Sequence, residues 1–171
     1  MEMEYIRLAK NGVSKYELIP ADSDINELID KTKPNYSSLY KYKPEHYKKW
    51  KAEGNVRNIE DTITDQLYFD FDSADNLEQA RKDACTAVSR LIEQGVSEDN
   101  LETAFTGKKG FSVAVRLNRF LKPEEFKNTV EFIAGDLETF DHKIVDPNRL
   151  IRLMLTKHQD TEYYKVPLSL G

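Results

Sequence analysis

Leu67-Tyr68-Phe69-Asp70-Phe71-Asp72 is the stretch that decides how this chain is read. Leu67, Phe69 and Phe71 alternate with Tyr68, Asp70 and Asp72, the period of a strand that buries one face. Asp70 and Asp72 therefore leave the same side of one sheet, about 7 Å apart along the strand. Like charges so placed repel, and a divalent cation between them relieves the repulsion. An edge strand with a solvated acidic face is the second reading. The hexamer alone leaves both open.

Downstream the pattern is regular. Ser73 or Asp75 can cap a helix running to about Glu93, with Ala80, Ala84, Val88, Leu91 and Ile92 on its inner side and Gly95 as its stop. Residues 101–105 form a short strand, residues 106–110 (Thr-Gly-Lys-Lys-Gly) a turn, and residues 111–117 another strand. A second helix starts near Pro123 and turns Phe126, Val130, Ile133 and Leu137 inward. A strand or turn follows at Phe140-Asp141. The order β-α-β-β-α-β is the ferredoxin-like unit, which places the chain in the α/β (α+β) class. In that topology the first and third strands are central neighbours, which brings Asp70, Asp72 and Ser112 onto adjacent strands.

Upstream, residues 1–64 form an N-terminal lobe of different composition, against residues 65–171 for the second lobe. A short helix and a turn at Asn11-Gly12 leading into a strand are expected within residues 6–18, then a helix over 22–31 capped by Asp22 or Ser23, with Ile25, Leu28 and Ile29 as its stripe. Residues 36–51 interleave Tyr36, Tyr40, Tyr42, Tyr47 and Trp50 with Lys41, Lys43, Lys48, Lys49 and Lys51. Aromatic faces that stack on bases beside ammonium groups that meet phosphates make a single-strand surface. Tyr42, Lys43, Lys48, Lys49, Trp50 and Lys51 are the candidates for it. Core aromatics with lysines snorkelling beside them are the equally open alternative.

The 171 residues allow one domain with a sizeable core, and the net charge of −5 argues against wholesale coating of nucleic acid while leaving room for a local basic patch. The single cysteine, Cys85, excludes a disulfide framework and a cysteine-rich zinc site, and is expected to pack within its helix. No apolar run reaches membrane-spanning length, and the Met1-Glu2-Met3-Glu4 start is unlike a secretion signal. A cytoplasmic protein is the expectation.

The last third supplies further charge: Asp141, then Arg149 and Arg152 on an extended segment 149–153, then His158 and Lys165. Asp141 can complete a three-carboxylate metal site, and the basic groups can hold a polyphosphate. Each taken singly also reads as a surface charge or a structural ion pair. As an ordered set they fit two-metal phosphoryl transfer.

Four blocks in this order resemble the catalytic core of the archaeo-eukaryotic primase superfamily, in particular the compact primase-polymerases of phages and plasmids. They are Asp70-Phe71-Asp72; Thr106-Gly107-Lys108-Lys109-Gly110-Phe111-Ser112; Asp141 with Val145; and Arg149-Leu150-Ile151-Arg152 with His158 and Lys165-Val166-Pro167-Leu168. The resemblance spans residues 67–168. It implies a catalytic sheet like that of an RNA-recognition motif and template-directed nucleotidyl transfer with two Mg²⁺ or Mn²⁺ ions. By matching positions, Asp70, Asp72 and Asp141 are the implied metal ligands. Thr106, Gly107, Lys108, Lys109, Ser112, Arg149, Arg152, His158 and Lys165 are the implied nucleotide contacts. The implied partners are single-stranded DNA template, dNTP or NTP, and a helicase or helical priming domain, in the same full-length chain or in trans. The chain departs from the family at Ser112, where a histidine is usual. Serine is shorter and uncharged, and loss of a charged hydrogen bond weakens binding by about 1.5–3 kcal/mol. The family's zinc-binding cysteines are absent as well, and the stop after Leu168 suits an excised catalytic domain.

Two other classes remain in view. A non-catalytic nucleic-acid-binding module is suggested by Lys109-Gly110-Phe111-Ser112-Val113, but Val113 stands where that motif wants an aromatic, and Asp70 and Asp72 would repel phosphates. A nucleotide cyclase would share the metal chemistry and need no template. A replication-initiator nuclease is disfavoured, because His46, His142 and His158 include no adjacent pair on one strand.

Overall fold

The computed structural model describes residues 4–56, 59 and 61–169; residues 1–3, on which the reading of the N-terminus rests, lie outside them. The chain begins with a hairpin of β1 (Tyr5–Ala9) and β2 (Glu17–Pro20), with Leu8 opposite Glu17. Asn11 and Gly12 turn it at φ of 60° and 122°, a backbone region that costs these two residue types least. This hairpin replaces the helix expected in residues 6–18. Helix α1 is a single turn, Ile25–Leu28, capped by Asp24 rather than by Asp22 or Ser23. Its stripe finds no core: none of its residues is buried. Asp30 then accepts from both the amide and the hydroxyl of Thr32, which draws the chain into a turn.

The aromatic and lysine-rich stretch divides into β3 (Tyr36–Ser38) and α2 (Pro44–Glu53). Gly54, at φ 70°, ends α2 by donating to the Trp50 carbonyl at 2.7 Å. The decisive alternation then forms β4 (Thr64–Asp72), followed by α3 (Leu77–Glu93). Asn76 caps α3, its side chain accepting from the Gln79 amide at 3.0 Å, a role expected of Ser73 or Asp75. Strands β5 (Leu101–Phe105) and β6 (Gly110–Leu121) come next, then α4 (Pro123–Ala134), β7 (Leu150–Arg152) and β8 (Val166–Leu168).

The fold is mixed α/β, with two antiparallel sheets and four α-helices among the described residues. One sheet runs β2-β1-β3-β7 and the other β4-β6-β5-β8. Asp70 lies opposite Ser112, and Asp72 opposite Gly110, in the β4–β6 pair. On the outer side of β4, Phe140 makes one antiparallel bridge to Phe71. The division at residue 64 is crossed by β7, which pairs with β3 of the N-terminal sheet through Tyr36 and Arg152.

The main core fills the space between the second sheet and its helices. Leu67, Phe69 and Phe71 meet Ala80, Ala84, Ala87, Val88 and Leu91 of α3 and Phe126, Val130 and Ile133 of α4. Ile92, expected on that inner side, is 40 % exposed, and Cys85, expected to pack in its helix, is exposed as well. A smaller core of Leu18, Tyr42 and Val56 lies under the N-terminal sheet. Arg7 is buried beside it, its guanidinium 5.4 Å and 5.6 Å from the Tyr16 and Tyr42 ring centres. No helix among the described residues is long and apolar enough to cross a membrane.

Candidate functional site

The face of β4 opposite the core carries Tyr68, Asp70 and Asp72, as the alternation requires. Across from it stand Tyr36 and Arg152, cross-strand neighbours in the first sheet. Between the two sheets lies a cleft of about 220 Å³, walled by Tyr68, Asp70, Asp72, Thr106, Lys109, Arg149, Arg152, His158 and Lys165, with Tyr36, Leu150, Ile151 and Gln159 completing it. Eight of the residues read from the sequence as metal or nucleotide contacts thus share one cleft. Gly107, Lys108, Ser112 and Asp141 are not part of its wall.

Asp141 is nonetheless next door. Its amide donates to the Asp70 carbonyl at 2.8 Å, and its carboxylate accepts from Arg149 Nη2 at 2.8 Å. The strap that carries it is anchored from below by Asp83 of α3. That buried carboxylate accepts from the Thr139 amide and hydroxyl at 2.9 and 2.8 Å. The Thr139 carbonyl in turn accepts from the Asp72 amide at 2.8 Å, which fixes the strap against the end of β4.

The basic groups differ in how firmly they are held. Lys165 is 4 % exposed; its ammonium donates to the Tyr68 hydroxyl at 2.9 Å and to the Arg152 carbonyl at 3.1 Å. Arg152 donates to the Thr106 carbonyl, while its Nε is buried without a partner. Lys109 pairs with Asp72 at 3.1 Å. Burial, followed by the charge of Arg152, pulls the His158 pKa below its ordinary value, so the ring is neutral at pH 7. Its Nδ1 accepts from the Asp160 amide at 3.0 Å, which leaves Nε2 as the protonated nitrogen and the donor.

Asp70 is the least satisfied group. Its Oδ1 is buried with no hydrogen-bond partner. Desolvation, reinforced by the Asp72 charge, pushes its carboxyl up to about 6. A buried carboxylate oxygen left without a donor fits a hard cation. Asp72 and Asp141 supply further oxygen ligands of the right type, although each is turned to a basic partner. In this arrangement no three His, Cys, Asp or Glu side chains among the described residues converge on one point.

Glycines shape the turn between β5 and β6. A Cβ at Gly110 would collide with the Asp72 carboxylate and the Phe71 carbonyl. Gly107, at φ 90°, lies where a Cβ would sit 3.0 Å from the Tyr164 carbonyl oxygen. Its own carbonyl accepts from the Thr161 hydroxyl, which docks segment 157–164 and thereby His158 onto the turn. The Thr106 hydroxyl is occupied within the turn, donating to the Gly110 carbonyl at 3.0 Å. Ser112 is 3 % exposed and lines a separate cavity with Ala84 and Val88 of α3 and Leu168 of β8, so it is not a wall of the Asp70 cleft. Lys108 points its ammonium at Asp160, 3.3 Å away.

The expected single-strand surface is only partly a surface. Tyr42 is 2 % exposed and belongs to the small core, so it has no face to offer a base. Tyr40 is buried too. Lys43 pairs with Asp61. Lys48, Lys49 and Lys51 are exposed on α2, and the Lys51 ammonium sits 5.0 Å from the Trp50 ring centre. Trp50 remains half-exposed. Tyr36, Tyr68 and Gln159 line the cleft although no motif assigns them to it. Tyr68 had a signal in the sequence, its place on the Asp70–Asp72 face, and Tyr36 stood among the aromatics of residues 36–51, whereas Gln159 had none.

No family model matches the chain, and no curated protein is similar to it.

Proposed function

We propose that the chain is a primase-polymerase catalytic domain, joining dNTPs or NTPs on a single-stranded DNA template. The observation that carries this reading is Asp70 Oδ1, buried and unpartnered at the floor of a cleft that Lys109, Arg149, Arg152, His158 and Lys165 line. Acid alone would suit a cation, and base alone a phosphate. Both in one cleft suit a cation–triphosphate complex.

In this reading Asp70, Asp72 and Asp141 would hold two Mg²⁺ or Mn²⁺ ions, which when bound would supply Lewis acidity and offset the negative charge of the triphosphate. Arg152 offers its unpartnered Nε, and His158 its Nε2–H, to phosphate oxygens. Lys165, fixed between Tyr68 and the Arg152 backbone, keeps a positive charge beside Asp70 that needs no rearrangement during reaction. The Tyr36 ring, with its hydroxyl donating to Gln159 Oε1 at 3.1 Å, gives the cleft one aromatic wall against which a base or sugar can rest. The ferredoxin-like reading of the second sheet rests on its β4-β6-β5 order and on Phe140 beside β4. Lys48, Lys49, Trp50 and Lys51 are the proposed template contacts.

The test is incorporation on primed oligonucleotides that differ in one template base, with Mg²⁺ or Mn²⁺ present. The added nucleotide should follow that base. Incorporation indifferent to the template, or conversion of the triphosphate to a cyclic product, would replace this reading with another metal-dependent nucleotidyl activity.

A further inference from the structure

Two of the three acidic residues already hold a cation of the protein's own. Lys109 Nζ lies 3.1 Å from Asp72 Oδ2, and Arg149 Nη2 lies 2.8 Å from Asp141 Oδ2. All four side chains keep part of their surface in solvent, 45 % for Lys109 and 34 % for Arg149. Ion pairs that keep contact with solvent are weak and readily exchanged. Lys165 contrasts with both, being buried and hydrogen-bonded to Tyr68 and the Arg152 carbonyl. Lys109 and Arg149 also line the cleft with the remaining bases.

On the reading above, we propose that Lys109 and Arg149 are exchangeable counter-ions. They hold Asp72 and Asp141 while no divalent cation is bound, and turn to the triphosphate once the carboxylates take the cation. Two dications and a fully ionised nucleoside triphosphate cancel in charge, so the exchange leaves the cleft's net charge unchanged. Metal and nucleotide then bind with positive coupling, because each removes a competitor for the other's ligands. Lys109 and Arg149 act here as positioning residues for the carboxylates.

Mn²⁺ binding without nucleotide, followed by calorimetry and by the spin-resonance signal of the free ion, separates this from a purely structural role. Lys109→Ala and Arg149→Gln should each tighten Mn²⁺ binding about threefold to tenfold. Lys108→Ala, whose ammonium pairs with Asp160, should leave it unchanged. With Mn²⁺ present, the first two variants should bind triphosphate about tenfold more weakly. Melting curves establish that the variants are folded, and Lys109→Gln repeats the test should the alanine variant melt early. Unchanged or weaker Mn²⁺ binding in folded Lys109 and Arg149 variants overturns the exchange, as does equal tightening by Lys108→Ala. A wild-type protein that binds no Mn²⁺, or whose binding survives Asp70→Asn with Asp72→Asn, overturns the metal site itself and the exchange with it.

Discussion

Burial raises the Asp70 carboxyl to about 6, and the Asp72 charge two residues away adds to the shift. The unfolded chain should titrate near the ordinary 3.8, so between pH 4 and 6 the folded state binds more protons than the unfolded one. Stability contributed at this residue is therefore present below about pH 4 and lost as pH rises through 6. At neutral pH the metal-free protein carries an ionised carboxylate that its surroundings solvate poorly. Asp70→Asn should stabilise the metal-free protein at pH 7 by about 1–3 kcal/mol, with the gain fading toward pH 4. Melting curves of both proteins from pH 4 to 8, without divalent cation, measure it. A variant equally stable or less stable at pH 7 would contradict the account of the site as an acidic group kept for a ligand. The Asp70 face was legible from alternation alone, whereas the unpartnered Oδ1 and the burial of Ser112 depend on what later segments lay across the sheet.

At the scale of elements, the strap 135–141 shows how a loop can be made precise. Gly135 to Asp141 contributes one bridge at Phe140 and no longer strand, yet Asp83 gathers two donors from Thr139 beneath it. Asp83→Ala leaves those donors buried and unpaired, and should cost about 2–4 kcal/mol in stability. It should also weaken Mn²⁺ binding at pH 7, because Asp141 loses its support. Denaturant titration and the Mn²⁺ titration together measure both effects, and a variant of normal stability would show that the strap is held elsewhere. Asp83 was invisible in the sequence, being one more acidic residue in an amphipathic helix. The long elements were legible for the opposite reason. β4, α3 and α4 carry periods of two or 3.6 residues over nine residues or more. The first hairpin was not, because β1 and β2 have five and four residues and their pairing is decided by tertiary structure.

The whole molecule brings residues of both sheets around one cleft, and β7, paired into the N-terminal sheet, carries Leu150, Ile151 and Arg152 into its wall. That placement follows from the pairing of Arg152 with Tyr36, a long-range pairing that no local pattern encodes. The same arrangement leaves α2 on the N-terminal side with Lys48, Lys49 and Lys51 outward. Replacing all three with alanine should flatten the salt dependence of single-strand binding, by about 0.7 in slope for each phosphate no longer neutralised. Filter binding or anisotropy over a salt series checks it, and an unchanged slope would make these lysines a solvated face. The central claim, nucleotidyl transfer at the Asp70–Asp72 cleft, is tested most directly by primer extension with the wild-type chain and the Asp70→Asn/Asp72→Asn variant side by side. Amides are poor ligands for hard cations. The account predicts metal-dependent extension by the wild type and none by a variant whose melting curve shows it folded. Extension by that folded variant at the wild-type rate would contradict it.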